Sequence, residues 1–264
     1  MSVTIQDILK AMSNTEGLPD NTVDRLEFGD PDLVAEGVAT MFIASQEAIE
    51  QAIGMGINFI ISHEGIFFSH WDKLQMLQED QVYLEKCRLI RENNIAIYRY
   101  HDGIHKDIPD GITTGLLQSL KWQKYEVKSS PTASILEIPE LELQDVIAHI
   151  KRELGIGYVR AIGNLSMKCR RIGVMVGYRG SMESVIPIFE KDHPDLVIYG
   201  EGPEWEAPEY VRDAVQQDRQ KALIVLGHSE SEMPGMEYLA RQLQVRFPEL
   251  PVHFIPQKPI FQVY

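Results

Sequence analysis

Histidine and acidic side chains gather at three places in this sequence, each directly after an apolar run that is typical of a buried β-strand. The three groups are Ser62-His63-Glu64-Gly65, Tyr100-His101-Asp102-Gly103-Ile104-His105 and Gly227-His228-Ser229-Glu230-Ser231-Glu232. Open parallel sheets bind ligands in the crevice beyond the carboxyl ends of their strands. The fold would therefore carry these imidazoles and carboxylates to the place where a site is built, and their chemistry indicates a metal centre.

The candidate ligands are four histidines and two glutamates: His63, Glu64, His101, His105, His228 and Glu232. This mixture of nitrogen and oxygen donors suits zinc, iron, manganese or nickel, and suits calcium or magnesium poorly. Six ligands exceed the roughly three or four that one catalytic zinc takes. Three per ion would leave positions open for water, as in a two-metal hydrolytic site. The pattern predicts two divalent transition metal ions, namely zinc, iron or manganese, and hydrolysis by metal-bound hydroxide.

Each group also has a structural interpretation. A single buried histidine such as His63 often only makes hydrogen bonds, and the group around His101 could be a solvated loop. The spacing places His101 and His105 on one face if the segment is helical, but Gly103 favours an irregular backbone. The group at His228 resembles a helix N-terminus, with a capping serine and glutamates that favour the dipole. The coincidence of three such groups favours metal binding.

Further acids follow another apolar run, at residues 196–199. The turn after it holds Glu201 and Glu204. Its place matches that of the His63 turn, so Glu201 is expected to line the same crevice, although a solvated loop explains it equally well. Glu201, Glu204 and Asp102 are the predicted proton-shuttling catalytic residues, and the sequence does not rank them.

Apolar runs that predict strands alternate with amphipathic segments that predict helices. The strands are predicted at residues 37–45, 58–62, 95–100, 134–138, 171–176, 196–199, 222–226 and 252–255. The helices are predicted at residues 46–54, 72–93, 111–120, 141–154, 181–192, 208–217 and 236–247. This alternation is typical of βαβ units and of largely parallel sheets.

The order of elements and of chemically active residues recurs in the two halves of the chain, which indicates an internal repeat. We predict an α/β protein of two pseudo-repeated, three-layer lobes with mainly parallel sheets and a metal cleft between them. The predicted boundaries are 1–125 for the first lobe and 126–235 for the second. Residues 236–264 are expected to form a C-terminal helix and strand that pack back on the first lobe.

Composition narrows the class of partner. The chain has 264 residues, of which 44% are hydrophobic, and a formal net charge of −14, which disfavours nucleic-acid and anionic-membrane partners. No apolar run reaches the roughly 18–20 residues of a membrane span, and the N-terminus lacks a signal-peptide pattern. Two distant cysteines, Cys87 and Cys169, fit a reducing compartment. We expect a cytoplasmic protein with a small-molecule substrate.

The chain resembles the Nif-three-like proteins (NGG-interacting factor three), often named GTP cyclohydrolase I type 2 homologues. The similarity rests on Val23-Asp24-Arg25-Leu26, Gly29-Asp30-Pro31, Ile60-Ile61-Ser62-His63, Ile97-Tyr98 through His101, the run 196–199 with Gly200-Glu201, and Gly227-His228 with Glu232. The resemblance implies two linked α/β lobes, a pair of divalent metals and a toroidal homohexamer. It also implies a cyclohydrolase-type opening of a purine-like ring in a nucleotide-like substrate.

Carried over by position, the family's ligands fall on the six candidates already given, with two exchanges. Glu64 stands where a second histidine is usual, and His105 stands where an aspartate is usual. The exchanges compensate, because the set keeps four imidazoles and two carboxylates. The turn after Glu201 lacks the histidines that relatives usually have there, so the substrate pocket is expected to differ.

The leading functional hypothesis is a metal-dependent hydrolase. The alternative is a non-catalytic, metal-binding regulatory or scaffold protein that acts through protein partners. That alternative predicts tightly retained metal without turnover, whereas a third possibility, a metal chaperone, predicts weakly held metal that exchanges.

Overall fold

The computed structural model describes residues 2–12, 18, 20–71 and 74–263. It contains two compact units, Met1–Gly111 with Met236–Ile260 and Ile112–Gly235 with Phe261–Tyr264, each built on its own β-sheet. The α/β fold class is therefore confirmed. The boundaries at residues 125 and 235 remain predictions, because compactness alone does not show that a unit folds independently. Within the described ranges, every helix is too short or too polar to cross a lipid bilayer.

The elements follow one another in an irregular alternation of helices and strands. Those up to residue 106 are α1 (Ile5–Met12), β1 (Arg25–Phe28), β2 (Val38–Met41), α2 (Gln46–Gly54), β3 (Phe59–Ser62), a 3-10 turn (Leu74–Leu77), α3 (Gln81–Glu92), β4 (Ala96–Arg99) and α4 (Asp102–Lys106). The later ones are α5 (Gly111–Ser119), a 3-10 turn (Gln123–Tyr125), β5 (Glu126–Ser129), β6 (Ser134–Glu142), α6 (Leu143–Leu154), β7 (Arg160–Ile162), β8 (Lys168–Val174), α7 (Met182–Lys191), β9 (Leu196–Tyr199), α8 (Ala207–Gln216), β10 (Ala222–Val225), α9 (His228–Arg246) and β11 (Val252–Phe254).

The sheet of the first unit has the strand order β1-β4-β3-β2-β11. Four of these strands run parallel, and only β1 is antiparallel to its neighbour. Every residue of β2 and β3 is buried. Apolar residues of α2 and α3, among them Ile49 and Ile90, share a core cluster with Met41 and Ile60 of these strands. Strands covered in this way read as continuous apolar runs, which is why the sequence pattern identified them.

Side-chain caps decide where two helices of this unit begin. Ser45 accepts a hydrogen bond from the backbone N–H of Ala48 at the start of α2, and Asp80 accepts one from Tyr83 at the start of α3. The helix predicted over 72–93 is therefore too long. Residues 74–77 form a separate 3-10 turn, and Asp72, where the predicted helix starts, lies outside the described residues.

The sheet of the second unit has the strand order β5-β6-β8-β9-β10-β7. Its central strands β8, β9 and β10 are parallel, whereas β5, β6 and β7 pair antiparallel with their neighbours. This sheet is mixed, so the expectation of mainly parallel pairing applies to the first sheet and to the centre of the second. The sequence analysis did not anticipate α1, β1, β5 or β7. The three strands among them contain no buried residue and carry no apolar run.

Candidate metal centre

Strand register in the first unit brings two of the three sequence groups to the same edge of the sheet. Met41 of β2 pairs with Ser62 of β3, and Ser62 pairs with Arg99 of β4. Beyond these pairs, His63 donates its backbone N–H to the Met41 carbonyl at 3.1 Å, and Tyr100 donates to the Ser62 carbonyl at 2.9 Å. The loops after β3 and β4 therefore start side by side.

A carboxylate distant in sequence holds the second of these loops. Asp24 accepts backbone hydrogen bonds from His101, Asp102 and Gly103, each at 2.7 Å. His101 is the N-cap residue of α4, and Asp102 and Gly103 are its first two residues, so these N–H groups have no acceptor within the helix itself. The sequence analysis quoted Asp24 only as part of a family motif, and the structure shows its role in building the loop.

The segment that carries His101 and His105 is helical rather than irregular. α4 spans Asp102–Lys106, and the His105 N–H lies 3.4 Å from the His101 carbonyl, so the four-residue spacing places both rings on one side. The inference of an irregular backbone from Gly103 was wrong. A Cβ at Gly103 would lie 2.4 Å from Cε2 of Tyr100 and 2.9 Å from a carboxylate oxygen of Asp24, so close approach requires this glycine.

His63, His101 and His105, here called the histidine cluster, lie ring against ring. The ring centroids of His63 and His101 are 4.7 Å apart and stacked, and each lies 5.1 Å from the ring of His105. One ring nitrogen from each histidine lies within 4.8 Å of the other two. His63 is fully buried, so the cluster begins in the protein interior.

Each histidine of the cluster has its Nδ1 atom against an oxygen that accepts hydrogen bonds. The acceptors are the Tyr100 carbonyl for His63 at 3.1 Å, Oδ1 of Asp102 for His101 at 3.0 Å and Oδ2 of Asp110 for His105 at 3.0 Å. Carbonyl and carboxylate oxygens only accept, so Nδ1 carries the hydrogen and the lone pair is on Nε2. Metal-binding histidines characteristically have this outer-shell arrangement.

The electrostatics of the cluster favour neutral imidazole. Burial, supported by the neighbouring His63 and His105 rings, lowers the pKa of His101 to about 4, and the hydrogen bond that His101 donates to Asp102 opposes this shift. The hydrogen bond from His101 holds the pKa of Asp102 well below its usual range, with further bonds from Thr22 and the Val23 N–H. A neutral histidine beside an ionised carboxylate is the form that binds a metal ion.

Glu64 is anchored by Arg99, the last residue of β4. The Arg99 guanidinium is fully buried, and its Nη2 lies 3.2 Å from Oε2 of Glu64. The other oxygen, Oε1, lies 3.6 Å from Nε2 of His101. Arg99 thus orients the carboxylate so that one oxygen faces the histidine cluster.

His70, which the sequence analysis did not single out, belongs to the same site. Its ring lies 4.9 Å from the ring of His101 and 4.7 Å from that of Trp71, edge-on in both cases. A ring nitrogen of His70 lies within 4.8 Å of ligand-type atoms of Glu64 and His101. An apolar run, Ile66-Phe67-Phe68, does precede Ser69-His70, but it forms a turn rather than a strand, and the sequence analysis did not count it among the predicted strands.

The donor set fits a transition metal ion. Bonds of about 2.1 Å in tetrahedral geometry place neighbouring ligand atoms about 3.4 Å apart, which is close to the 3.6 Å between Nε2 of His101 and Oε1 of Glu64. With the hydrogen on Nδ1, these two atoms are both electron-pair donors, so a cation between them would turn repulsion into attraction. Three imidazoles and one carboxylate suit zinc, iron or manganese better than calcium or magnesium.

The third sequence group forms a smaller cluster in the second unit. Nδ1 of His228 lies 2.9 Å from Oε1 of Glu201, and Nε2 lies 3.1 Å from Oε2 of Glu232. A neutral imidazole has one N–H, so when Nδ1 of His228 donates to Glu201, Nε2 presents its lone pair toward Glu232. The hydrogen bond from His228 lowers the pKa of Glu201, which keeps this carboxylate ionised.

The loops after β8 and β10 admit this arrangement through one glycine and one serine. Gly177 has φ +58°, and a Cβ there would lie 2.1 Å from Oε1 of Glu232. Ser231 accepts from the Gly177 N–H at 2.9 Å and donates to the His228 carbonyl at 2.8 Å. Ser231 therefore connects α9 with the neighbouring loop. The helix-cap interpretation had Ser229 or Ser231 as the cap, and both lie inside α9, which begins at His228.

The three predicted catalytic acids have different surroundings. Asp102 and Glu201 contact the Nδ1 atoms of His101 and His228, where they orient the rings. Glu204 is exposed and forms an ion pair with Arg160. The assignment of proton transfer to these acids remains a prediction.

The fold and the site together define a two-unit α/β protein with histidine–carboxylate clusters beyond the carboxyl ends of its parallel strands. The chain belongs to the Duf34/NIF3 (NGG1p interacting factor 3) family, whose model matches residues 5–259. The resemblance inferred from the sequence motifs is thereby confirmed.

Curated relatives are named GTP cyclohydrolase 1 type 2 homologs. That of Clostridium acetobutylicum is 25% identical over 228 residues, which cover 83% of this chain and 80% of the relative. That of Chlamydia trachomatis is 22% identical over 244 residues, which cover 90% and 91%.

Solved structures show the same fold at low identity. A hypothetical protein of Staphylococcus aureus matches with a TM-score of 0.78 at 18% identity, covering 100% of both chains. A Bacillus cereus protein related to NIF3 matches with a TM-score of 0.77 at 15% identity, covering 100% of this chain and 99% of the other.

Proposed function

We propose that the first unit binds a divalent transition metal ion through the histidine cluster and Glu64. The observation that carries the proposal is the hydrogen bonding of the cluster, in which each Nδ1 donates to an oxygen and each Nε2 keeps its lone pair. We further propose that His228 and Glu232 supply ligands to a second ion, which would be zinc, iron or manganese like the first.

Metal content per chain tests this proposal. The protein is purified without added metal or chelator and analysed by elemental mass spectrometry, and we expect about two equivalents, as in two-metal sites. His101→Ala is expected to lower the content, while His253→Ala, which removes an exposed histidine of β11, is expected to leave it unchanged. An unchanged content in His101→Ala would contradict the assignment of the cluster.

We also propose that the bound metal serves hydrolysis, a proposal supported by the names of the curated relatives. A divalent ion held by these ligands supplies Lewis acidity and activates water. Burial keeps His101 neutral, and hydrogen bonds from His101 and His228 keep Asp102 and Glu201 ionised. Nδ1 of each ring therefore stays the hydrogen-bond donor to its carboxylate.

Activity is tested with metal-loaded and metal-free protein on GTP, other nucleotides and generic phosphoesters and amides. Metal-dependent turnover that disappears in His101→Ala would support the hydrolase. Tightly held metal without turnover would instead support the non-catalytic regulatory or scaffold protein. The homohexamer and the cytoplasmic location remain predictions, and native mass spectrometry would test the former.

A further inference from the structure

The histidines around Glu64 differ in the neighbours of their Nδ1 atoms. In the histidine cluster each Nδ1 faces an oxygen acceptor, whereas Nδ1 of His70 lies 3.0 Å from Nη2 of Arg99. Guanidinium nitrogens donate hydrogen bonds and never accept them. Nδ1 of His70 must therefore accept, so in the neutral ring the hydrogen is on Nε2.

Competing contacts do not change this assignment. Among the residues that the structure describes, the carboxylate oxygen nearest to Nδ1 of His70 is Oε2 of Glu64, at 3.7 Å, which is beyond hydrogen-bonding distance. The same guanidinium also donates through Nη1 to the His70 backbone carbonyl at 2.7 Å. Arg99 thus donates hydrogen bonds to both the ring and the backbone carbonyl of His70, and these bonds fix the orientation of the ring.

Arg99 is itself rigidly placed. Its side chain is fully buried at the end of β4, and the Glu64 carboxylate lies beside the guanidinium. The loop after β3 passes close to it, since a Cβ at Gly65 would lie 2.5 Å from the Ser69 carbonyl and 3.3 Å from Nη1 of Arg99. Because a buried charge that loses its partners is strongly destabilising, the Arg99 guanidinium is expected to stay in contact with His70.

We propose that His70 is a hydrogen-bond donor of the site rather than a metal ligand. Its Nε2–H donates to a carbonyl or anionic oxygen of the molecule that binds at the metal centre. This inference rests on the proposed metal-binding function for the location of that molecule. The tautomer of His70 does not depend on metal binding, because the contact with Arg99 sets it whether or not a metal is present. His70 is partly exposed, as a group that meets a ligand must be.

The tautomer is tested by neutron diffraction from deuterium-exchanged crystals of the metal-free native chain. We expect deuterium on Nε2 of His70 and on Nδ1 of His101. Deuterium on Nδ1 of His70 would overturn the proposal. Because no metal is needed, this result is independent of whether the proposed metal-binding function is correct.

Zinc binding and inorganic phosphate binding test the role. His70→Ala is expected to bind as many zinc equivalents as the native chain, whereas His101→Ala is expected to lose them. If His70→Ala loses as much zinc as His101→Ala, His70 is a ligand and the proposal is overturned. In zinc-loaded protein, His70→Ala is expected to raise the Kd for phosphate about tenfold, the effect of one lost hydrogen bond to a charged group. His70→Gln, which keeps a donor, should recover part of the affinity. An unchanged Kd in His70→Ala would also overturn the proposal.

Discussion

The two units use the carboxyl ends of their parallel strands in different ways. In the first, three histidines and Glu64 come from the loops after two adjacent strands, and separate oxygen acceptors orient the rings. In the second, a single imidazole, His228, lies between the carboxylates of Glu201 and Glu232. The histidine cluster and Glu64 supply enough ligands to bind an ion, whereas the second unit offers one imidazole and two carboxylates.

The difference shows that the order of elements and the position of polar residues after the strands can recur in two units while the types of side chain at those positions differ. An imidazole-rich cluster binds transition metals more selectively than a site in which carboxylates predominate. We therefore expect the first cluster to contribute more to metal affinity than the second, and the following experiments test that ranking.

The largest effect is expected for ligand removal. His63→Ala should weaken metal affinity by more than about 100-fold, since loss of an outer-shell partner alone costs about 10–100-fold. His228→Ala should cost less. Competition with a chromogenic chelator measures both affinities, and an equal or larger loss in His228→Ala would reverse the ranking.

An added methyl group tests how the cluster of His228, Glu201 and Glu232 is built. Gly177→Ala places a Cβ 2.1 Å from Glu232 at φ +58°, and should lower the free energy of unfolding by about 3 kcal/mol through strain and overpacking. Gly155→Ala is the matched control, because its φ is +66° and nothing lies within 4 Å of the added Cβ.

Denaturant titration of both glycine variants gives the comparison. The control should lose only about 1 kcal/mol, the cost of the backbone conformation. Similar losses in the two variants would show that Glu232 does not need the space at Gly177.

The histidine cluster should make the metal-free protein sensitive to acid. The folded state lowers the pKa of His101 from 6.5 to about 4, so the unfolded chain takes up a proton first as the pH falls. Stability is then lost between about pH 6.5 and pH 4, by at most about 3 kcal/mol. His101→Gln should lack this part of the loss when unfolding is followed at a series of pH values, and an identical pH dependence in the two proteins would contradict it.

The smallest effect is expected from an outer-shell change. Asp110→Asn weakens the acceptor for Nδ1 of His105 and should lower metal affinity about tenfold without changing the metal stoichiometry. Asp32→Asn, an exposed aspartate of the same unit, serves as the control in the same chelator competition. A lowered stoichiometry in Asp110→Asn would mean that Asp110 binds the metal itself.

Much of the fold and part of the site could be predicted because both rest on local patterns. Buried parallel strands require apolar runs, and the residues after them must lie at the edge of the sheet, so the groups at His63, His101 and His228 were identified correctly as neighbours of strand ends. Helix limits were less predictable. The helix predicted over 72–93 was too long, because the Asp80 side chain caps α3 and the helix begins only after it.

The sequence by itself determined the α/β class, the main strands and the donor chemistry, because these follow from hydrophobic runs and residue types. Only the tertiary structure decided which nitrogen of each histidine carries the hydrogen. For His70 and His63 the partners are distant in the chain, because Arg99 lies 29 residues from His70 and the Tyr100 carbonyl 37 from His63. Asp102 and Asp110 are close in sequence to His101 and His105, but only the folded chain shows that they contact Nδ1. Tautomer and ring orientation are properties of the hydrogen-bond network, which no local pattern contains.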